Sequence, residues 1–236
     1  RMRMGPDEVL RQERKFDLNL TEAAGCEQAL RHYLRPDPHN GSQGYLVRSL
    51  YFDTYLNRDF WDKSGGYPQR KKLRLRSYSP RDGFALLEMK QKDGAQQRKR
   101  SLRVSREEAE QLIQGRYSLL LDLDDPFAAE CHSLLETLFY RPKVLIEYRR
   151  TAYLLPTNSI RITFDREIRA QTGHLDLFAD PFLGAPVFPG FHTILEVKYN
   201  HFLPSYIRDA LRSVDASECS ASKYGMSRAG SAFHSV

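Results

Sequence analysis

The chain has 236 residues, of which 41% are hydrophobic, with 36 Lys and Arg against 30 Asp and Glu and a formal net charge of +6. This hydrophobic share can fill a core, so the composition excludes a mainly disordered chain, and 14 Gly and 12 Pro are too few for a collagen-like or linker-dominated one. The positive charge favours an anionic partner.

In chain order, period-two alternation predicts eight strands, and short amphipathic patterns predict four helices among them. The elements are a strand at 12–20, a helix at 21–33, strands at 45–54, 71–79, 84–92 and 97–104, helices at 105–114 and 126–140, strands at 143–155, 160–169 and 193–199, and a helix at 204–214. Turn residues at 79–83 and 92–94 predict antiparallel hairpins. We expect an α+β, mainly β fold in one domain over 1–236, with an irregular tail from about residue 215.

No segment for membrane insertion or secretion is predicted. Charged residues break the apolar runs well before the roughly 18 to 20 residues that a spanning helix needs, and the amino-terminal RMRMGPDEV lacks an apolar segment after its basic residues. Cys26, Cys131 and Cys219 lack the paired spacings of a zinc site or a disulfide framework. We therefore expect a cytoplasmic protein that does not insert into a membrane.

Several strands carry charged residues on their polar face. Alternation places Lys72, Arg74 and Arg76 on one face of a strand, about 7 Å apart, with Leu73 and Leu75 on the other. The same rule groups Glu13 with Lys15 and Asp17, Glu88 with Lys90 and Lys92, Arg161 with Thr163 and Asp165, and Glu196 with Lys198.

Like charges on one strand face repel each other, so such a face is costly unless anions or carboxylates lie among the cations. A phosphate chain would supply those anions. A single strand of this kind is most often a solvated sheet face, but five strands with a charged face opposite an apolar face, four of them with both a carboxylate and a cation, favour a binding site. A closed eight-stranded barrel would turn these faces into a narrow channel suited to an extended polyanion, with the helices packed outside.

A succession of short motifs spans nearly the whole chain. They are Gln12-Glu-Arg-Lys-Phe16, Ser49-Leu-Tyr-Phe-Asp-Thr54, Lys72-Leu-Arg-Leu-Arg-Ser-Tyr78, Leu87-Glu-Met-Lys90, Tyr148-Arg-Arg-Thr-Ala-Tyr153, Arg161-Ile-Thr-Phe-Asp165, Leu195-Glu-Val-Lys198 and Ser222-Lys-Tyr224. In this order the motifs resemble the VTC domain, the catalytic module of the vacuolar transporter chaperone polyphosphate polymerase, within the triphosphate tunnel metalloenzyme (CYTH-like) superfamily.

The resemblance implies an eight-stranded antiparallel β-barrel tunnel whose basic interior binds ATP or another triphosphate, pyrophosphate and polyphosphate. It also implies a divalent metal, Mn²⁺ or Mg²⁺, held by Glu196 with Glu13 and Glu88 as supporting carboxylates. The expected catalytic residues are Arg74, Arg76, Arg150 and Lys198. The expected substrate-binding residues are Lys15, Lys72, Lys90, Lys99, Arg100, Arg161 and Lys223. Among Arg98, Lys99 and Arg100 at least one is expected to face the tunnel, and strand parity does not choose which.

Two points in these motifs leave alternatives. The superfamily opens with Glu-x-Glu-x-Lys, whereas this chain has Arg11 at the first carboxylate position, a loss that favours a polymerase over a two-metal hydrolase. Alternation and polarity alone would direct Arg149 inward, but the motif match favours Arg150, and a bulge could reconcile the two.

The expected function is an ATP-dependent polyphosphate polymerase that transfers the γ-phosphoryl group to phosphate or to a growing chain. The alternatives are a hydrolase of the same fold that cleaves tripolyphosphate or nucleoside triphosphate, and a non-catalytic polyphosphate-binding module. The carboxylates argue against the binding module because they repel an anion unless a metal intervenes. Specific nucleic-acid binding lacks support, since Trp61 is the only tryptophan and the tyrosines form no stacking platform.

Overall fold

The computed structural model describes residues 11–188, 192–220 and 222–232, which form mainly antiparallel strands with several helices. The strands are β1 (Arg11–Asn19), β2 (Arg35–Pro36), β3 (Tyr45–Asp53), β4 (Gln69–Ser77), β5 (Phe84–Asp93), β6 (Gln96–Ser105), β7 (Arg141–Leu155), β8 (Ile160–Gln171), β9 (Ala185–Pro186), β10 (His192–Asn200) and β11 (Glu218–Cys219). The helices are α1 (Leu20–Arg31), α2 (Arg58–Ser64), α3 (Arg106–Ile113), α4 (Pro126–Thr137), α5 (Ser205–Leu211) and α6 (Lys223–Ala232). Four short 3-10 turns cover Pro38–Asn40, Ser118–Leu123, Thr157–Ser159 and Arg212–Ser217.

The mainly β prediction is confirmed. The eight predicted strands correspond to β1, β3, β4, β5, β6, β7, β8 and β10, and the four predicted helices to α1, α3, α4 and α5. The predicted capping box at the start of α3 is present, because Ser105 and Glu108 each accept a hydrogen bond from the other's backbone N–H. The predicted turns join β4 to β5 and β5 to β6 as antiparallel neighbours.

Two helices were not predicted from sequence. The first turn of α2 is capped from a distance, because the carboxylate of Asp53 at the end of β3 accepts from the backbone N–H of Asp59 and Phe60. No local capping pattern of the Ser-x-x-Glu kind marks that start. Helix α6 lies in the tail for which the sequence predicts irregular structure, and it is anchored by a long-range hydrogen bond from the hydroxyl of Tyr224 to Asp53 Oδ2, 2.5 Å long.

The chain divides into two compact units that alternate along the sequence. Unit 1 contains the chain up to Leu46, Tyr148–Arg169 and Pro186–Ser222, and unit 2 contains Val47–Glu147, Ala170–Ala185 and the chain from Lys223 onward. Strands β3 and β7 each run from one unit into the other.

In unit 1 the long strands follow the order β1, β10, β8 and the second half of β7, with β11 beside β1. Strand β1 is antiparallel to β10, and β10 is antiparallel to β8. The apolar faces of these strands and helices α1 and α5 form the core of the unit, which includes Phe16, Phe164 and Leu195. Burial of this apolar side leaves the charged residues at alternate positions on the opposite face.

In unit 2 the order is the first half of β7, then β3, β4, β5 and β6. Leu50, Leu73, Leu75 and Leu87 are almost fully buried with side chains of α3 and α4 in the core of this unit.

In neither unit does the strand order of the described residues close on itself. The structure therefore shows the expected mainly β, antiparallel architecture. The strand order does not confirm the closed eight-stranded barrel. Over the same described residues, every helix is too short or too polar to span a lipid bilayer.

Candidate functional site

The charged face of unit 2 is built by in-register pairing of β3, β4, β5 and β6. Lys72 lies opposite Lys90, and Lys90 lies opposite Lys99, so three lysines stand abreast across three strands. The next row contains Tyr51, Arg74 and Glu88. Like charges directly opposite each other destabilise a sheet unless anions or carboxylates lie among them.

Glu88 is the carboxylate at the centre of this face. Its Oε1 accepts a hydrogen bond from Arg74 Nε at 2.9 Å and lies 3.6 Å from Arg76 Nε, and its Oε2 lies 2.8 Å from Lys99 Nζ. Burial by itself would raise the pKa of Glu88, but the three cations outweigh it and lower the pKa to about 2. Glu88 therefore stays ionised at neutral pH and holds the cations in place.

Neighbouring residues of β6 separate into two roles. Lys99 pairs with Glu88 on the charged face, whereas Arg100 donates from Nη2 to Glu130 Oε1 of α4 at 2.8 Å and packs over the ring of Phe127. Arg100 thus lies on the helix-covered side of the sheet. Within the basic cluster of β6, Lys99 therefore lies with the other candidate site residues of unit 2, whereas Arg100 lies on the opposite face.

Lys223 is the first residue of α6 and acts electrostatically on the phenol of Tyr51. The next residue, Tyr224, is almost completely buried, and its ring stacks on Tyr51 with the centroids 5.1 Å apart and the planes 13° apart. With the hydrogen bond from Tyr224 to Asp53, this stack fixes the start of α6 beside β3. Lys223 and Tyr224 of the last motif are thereby connected to the Ser49–Thr54 motif within unit 2.

The charged face of unit 1 has cations and carboxylates in alternation. Glu13 of β1 lies opposite Lys198 of β10, and Lys15 lies opposite Glu196. Lys15 Nζ is 3.2 Å from Glu13 Oε1, and Lys198 Nζ is 2.9 Å from Glu196 Oε1. The register brings these four predicted site residues together on one face.

Arg161 of β8 lies opposite Lys198 and extends this face. Its guanidinium donates to Asp37 Oδ2 at 3.2 Å and to the hydroxyl of Tyr45 at 3.1 Å. Asp37, which also accepts from the backbone and ring of His39, has a lowered pKa, because these hydrogen bonds and Arg161 outweigh burial. Asp37 therefore remains a carboxylate that orients Arg161.

Arg150 is held by a fully buried carboxylate. Its Nε and Nη2 donate to the two oxygens of Asp165 at 2.8 and 2.9 Å, a bidentate pair. Burial opposes the charge on Arg150, but Asp165 outweighs it and raises the pKa well above the ordinary value. Arg149 is instead exposed, and its Nε lies 3.8 Å from Oε2 of Glu167. Arg150 is therefore a partly buried cation paired with a buried carboxylate, whereas Arg149, the choice from polarity, is exposed.

The expected metal can be tested against the donor atoms. Both oxygens of Glu88 engage cations, so Glu88 does not fit as a metal ligand in this arrangement. Glu13 and Glu196 fit the mode in which Mg²⁺ or Mn²⁺ binds one or two carboxylates while phosphate oxygens and water complete the shell. Among the described residues no group of three or more His, Cys, Asp or Glu side chains is arranged to hold a metal.

Three residues that the sequence did not single out as site residues support those that it did: Asp37 orients Arg161, Tyr51 contacts Arg74, and Asp53 anchors α6. Tyr51 and Asp53 lie within a quoted motif, but their roles depend on partners far along the chain. Asp53 follows an apolar strand, and a carboxylate that is buried there needs hydrogen-bond partners because an isolated buried charge is unfavourable. This requirement is a signal that could have indicated Asp53.

Comparison with known proteins places this arrangement in a wider context. The family profile described as the VTC domain matches residues 10–231. A candidate adenylyl cyclase from Hippeastrum, described as having a dominant triphosphatase activity, has a similar fold with a TM-score of 0.53 and 12% identity over 93% of this chain and 96% of that one. A candidate adenylate cyclase from Bacillus halodurans has a TM-score of 0.51 and 12% identity over 91% and 96%. No curated protein matches the chain in sequence.

Proposed function

Because the chain belongs to the VTC-domain family, we propose that it is an ATP-dependent polyphosphate polymerase that requires Mn²⁺ or Mg²⁺. An oxygen of phosphate, pyrophosphate or the end of a polyphosphate chain attacks the γ-phosphorus of ATP, the bond to the β–γ bridging oxygen breaks, and ADP leaves. An acceptor that is already anionic needs little general-base assistance, so positioning and charge neutralisation supply most of the catalysis.

The observation that carries the proposal is the row of Lys72, Lys90 and Lys99 beside the Arg74–Glu88–Arg76 cluster. The described residues of β4, β5 and β6 place five cations on this face together with the carboxylate of Glu88: Lys72, Arg74, Arg76, Lys90 and Lys99. A triphosphate or a polyphosphate chain has its negative charges spaced along its length, so it can neutralise several of these side chains at once.

In this proposal Arg74 and Arg76 bind the γ-phosphoryl group, because Glu88 holds both guanidinium groups in fixed orientations. Lys72, Lys90, Lys99 and Lys223 bind the remaining phosphates on the same unit. Arg100 is assigned a structural role, since its guanidinium is engaged by Glu130.

In unit 1 the proposal assigns phosphate binding to Lys15, Lys198, Arg161 and Arg150. Asp165 occupies Nε and Nη2 of Arg150, so a phosphate oxygen would contact Nη1. Glu196 and Glu13 would hold the divalent metal, which supplies positive charge next to the phosphate oxygens.

The proposal also includes the closed eight-stranded tunnel that the family resemblance implies, and a cytoplasmic location where ATP is available. A crystal structure with tripolyphosphate would test the tunnel. Hydrolysis of triphosphates is the second candidate function, because the Hippeastrum protein of similar fold is described as a triphosphatase. The present chain differs from a two-carboxylate opening motif at Arg11, whose guanidinium donates to Asn200.

Substitution of a single carboxylate tests the proposed chemistry. We expect Glu196→Gln to retain tripolyphosphate binding and to lose metal-dependent turnover of ATP. Glu167→Gln is the matched control, because Glu167 is an exposed carboxylate of the same unit that pairs only loosely with Arg149. Equal turnover in both variants would contradict the role of Glu196, and the absence of any ADP and polyphosphate from the unsubstituted protein would refute the polymerase.

A further inference from the structure

Tyr51 is a buried tyrosine on the charged face of unit 2. It lies directly opposite Arg74 in the β3–β4 ladder, only 5% exposed, and the guanidinium of Arg74 lies over its ring with 5.9 Å to the centroid. A tyrosine among arginines and lysines can serve as a packing residue or as a ligand for the anion that these cations attract.

The direction of its hydrogen bond separates these roles. Arg74 Nη1 donates to the hydroxyl oxygen of Tyr51 at 3.1 Å. Arginine has no acceptor, so the phenolic hydrogen is not used in that contact. Among the residues that the structure describes, no oxygen or nitrogen accepts this hydrogen. A buried O–H donor without an acceptor is costly, and an anion bound beside Arg74 would satisfy it.

The position of the hydroxyl is fixed by its neighbours. The ring of Tyr51 stacks on Tyr224, and the hydroxyl of Tyr224 is bound to Asp53, which also caps α2. Asp53 is fully buried. The phenol of Tyr51 is therefore held in place before any ligand arrives, which reduces the entropy lost when it forms a further hydrogen bond.

The electrostatic surroundings make this phenol a strong donor. Burial raises the pKa of a tyrosine, but Arg74, Arg76 and Lys223 outweigh burial at Tyr51 and lower its pKa. A more acidic hydroxyl forms a stronger hydrogen bond to a phosphate oxygen. The other buried tyrosines of this unit, Tyr117, Tyr140 and Tyr224, all have raised pKa values because burial dominates there.

We propose that the hydroxyl of Tyr51 donates a hydrogen bond to a phosphoryl oxygen bound by Arg74 and Arg76, which makes Tyr51 an additional substrate-contact residue. The inference rests on the phosphate-binding part of the proposed function. It assigns a neutral donor beside Arg74 to the substrate. A hydroxyl is a donor that adds no charge to a site in which Arg74, Arg76 and Lys99 surround Glu88.

The test compares Tyr51→Phe with the unsubstituted protein by calorimetric titration with tripolyphosphate in the absence of added metal. Phenylalanine keeps the ring stacked on Tyr224 and removes only the hydroxyl. We expect affinity to fall about tenfold, the usual effect of losing one hydrogen bond to a charged group. Tyr117→Phe is the matched control, because its hydroxyl donates to the backbone oxygen of Tyr140 in the core, and we expect its affinity to be unchanged.

A pH titration distinguishes substrate contact from support of Arg74. Ionisation of Tyr51 replaces the donor by a negative oxygen, so the affinity of the unsubstituted protein should fall in the alkaline range while that of Tyr51→Phe falls less. The charged groups near the phenol, Arg74, Arg76, Lys223, Glu88 and Lys99, are present in both proteins. Their titration therefore cancels in the comparison.

Phenolate absorbance supplies an independent measurement. We expect one alkaline step that is absent in Tyr51→Phe and that moves to higher pH when tripolyphosphate is added. Equal affinities and parallel pH profiles of the two proteins would overturn the assignment of Tyr51 while leaving the proposed function intact. Failure of the unsubstituted protein to bind tripolyphosphate would overturn both.

Discussion

Arg74 and Glu88 form a partly buried ion pair across two neighbouring strands, with Arg74 Nε donating to Glu88 Oε1 at 2.9 Å. The pair lies in register, residue opposite residue, so the sheet itself sets its geometry. Glu88 also contacts Arg76 and Lys99. One carboxylate thus organises three of the cations that we assign to phosphate binding.

The first prediction concerns stability at low pH. The pKa of Glu88 is about 2 in the folded protein, whereas the ordinary pKa of a glutamate, which we take for the unfolded chain, is 4.5. Because the folded value is lower, its stabilisation is complete above about pH 4.5 and is lost as the pH falls toward 2; the difference corresponds to about 3 kcal/mol. Urea unfolding should show that Glu88→Gln is less stable at pH 7 and that the gap narrows toward pH 2. A gap that is constant with pH would contradict this role.

The second prediction concerns Asp59, a buried carboxylate of unit 2. Its Oδ2 accepts from the hydroxyl of Tyr140 at 2.6 Å, and its Oδ1 has no hydrogen-bond partner among the described residues. Burial is the main cause that raises the pKa of Asp59 from 3.8 to about 7. The folded value is the higher one, so stability falls as the pH rises from about 4 to 7.

Asp59→Asn keeps an acceptor for Tyr140 and removes this ionisation. We expect the variant to be as stable as the original near pH 4 and more stable at pH 8, by at most about 4 kcal/mol. Free energies of unfolding at the two pH values check the prediction. A variant that is less stable at pH 8 would show that the ionised Asp59 has stabilising partners.

The third prediction uses two adjacent cations on opposite faces of β6. Lys99 lies on the charged face with Glu88, whereas Arg98 lies opposite Gln91 on the other face. Lys99→Gln should weaken tripolyphosphate binding about threefold to tenfold, with a smaller loss at high salt. Arg98→Gln removes the same charge at the neighbouring position and should leave affinity unchanged. Equal losses would mean that net charge alone determines binding.

The fourth prediction concerns Arg100. Because its guanidinium binds Glu130 and packs on Phe127, Arg100→Gln should lower the free energy of unfolding by about 1 kcal/mol and leave the dissociation constant for tripolyphosphate unchanged. Calorimetry and urea unfolding of one preparation measure both quantities. If Arg100→Gln bound tripolyphosphate more weakly while its free energy of unfolding was unchanged, Arg100 would be a phosphate ligand and not a structural residue.

Period-two patterning was enough to predict the eight long strands, because each buries one apolar face and exposes one polar face. The grouping of Lys72 with Arg74 and of Glu196 with Lys198 followed from the same rule. Helix α2 could not be predicted, since Asp53 caps it from the preceding strand. Likewise, α6 depends on the contact between Tyr224 and Asp53, which are 171 residues apart.

Sequence patterning also could not predict which face of the sheet certain side chains of β6 and β7 occupy. Lys99 and Arg100 are both cationic, and only the partners Glu88 and Glu130 show which face each occupies. Arg150 is distinguished from Arg149 by its buried partner Asp165 on another strand. Such choices depend on pairing between distant segments, which a single sequence does not reveal.

The most direct test of the central claim is product analysis after incubation with ATP, Mn²⁺ and pyrophosphate as acceptor. Gel electrophoresis of the products with parallel quantification of ADP and orthophosphate measures where each γ-phosphoryl group goes. If the protein is a polymerase, we expect polyphosphate chains that lengthen with time and one ADP for each phosphoryl group added. Orthophosphate released in step with ADP, without chain growth, would contradict the polymerase and identify the protein as a hydrolase.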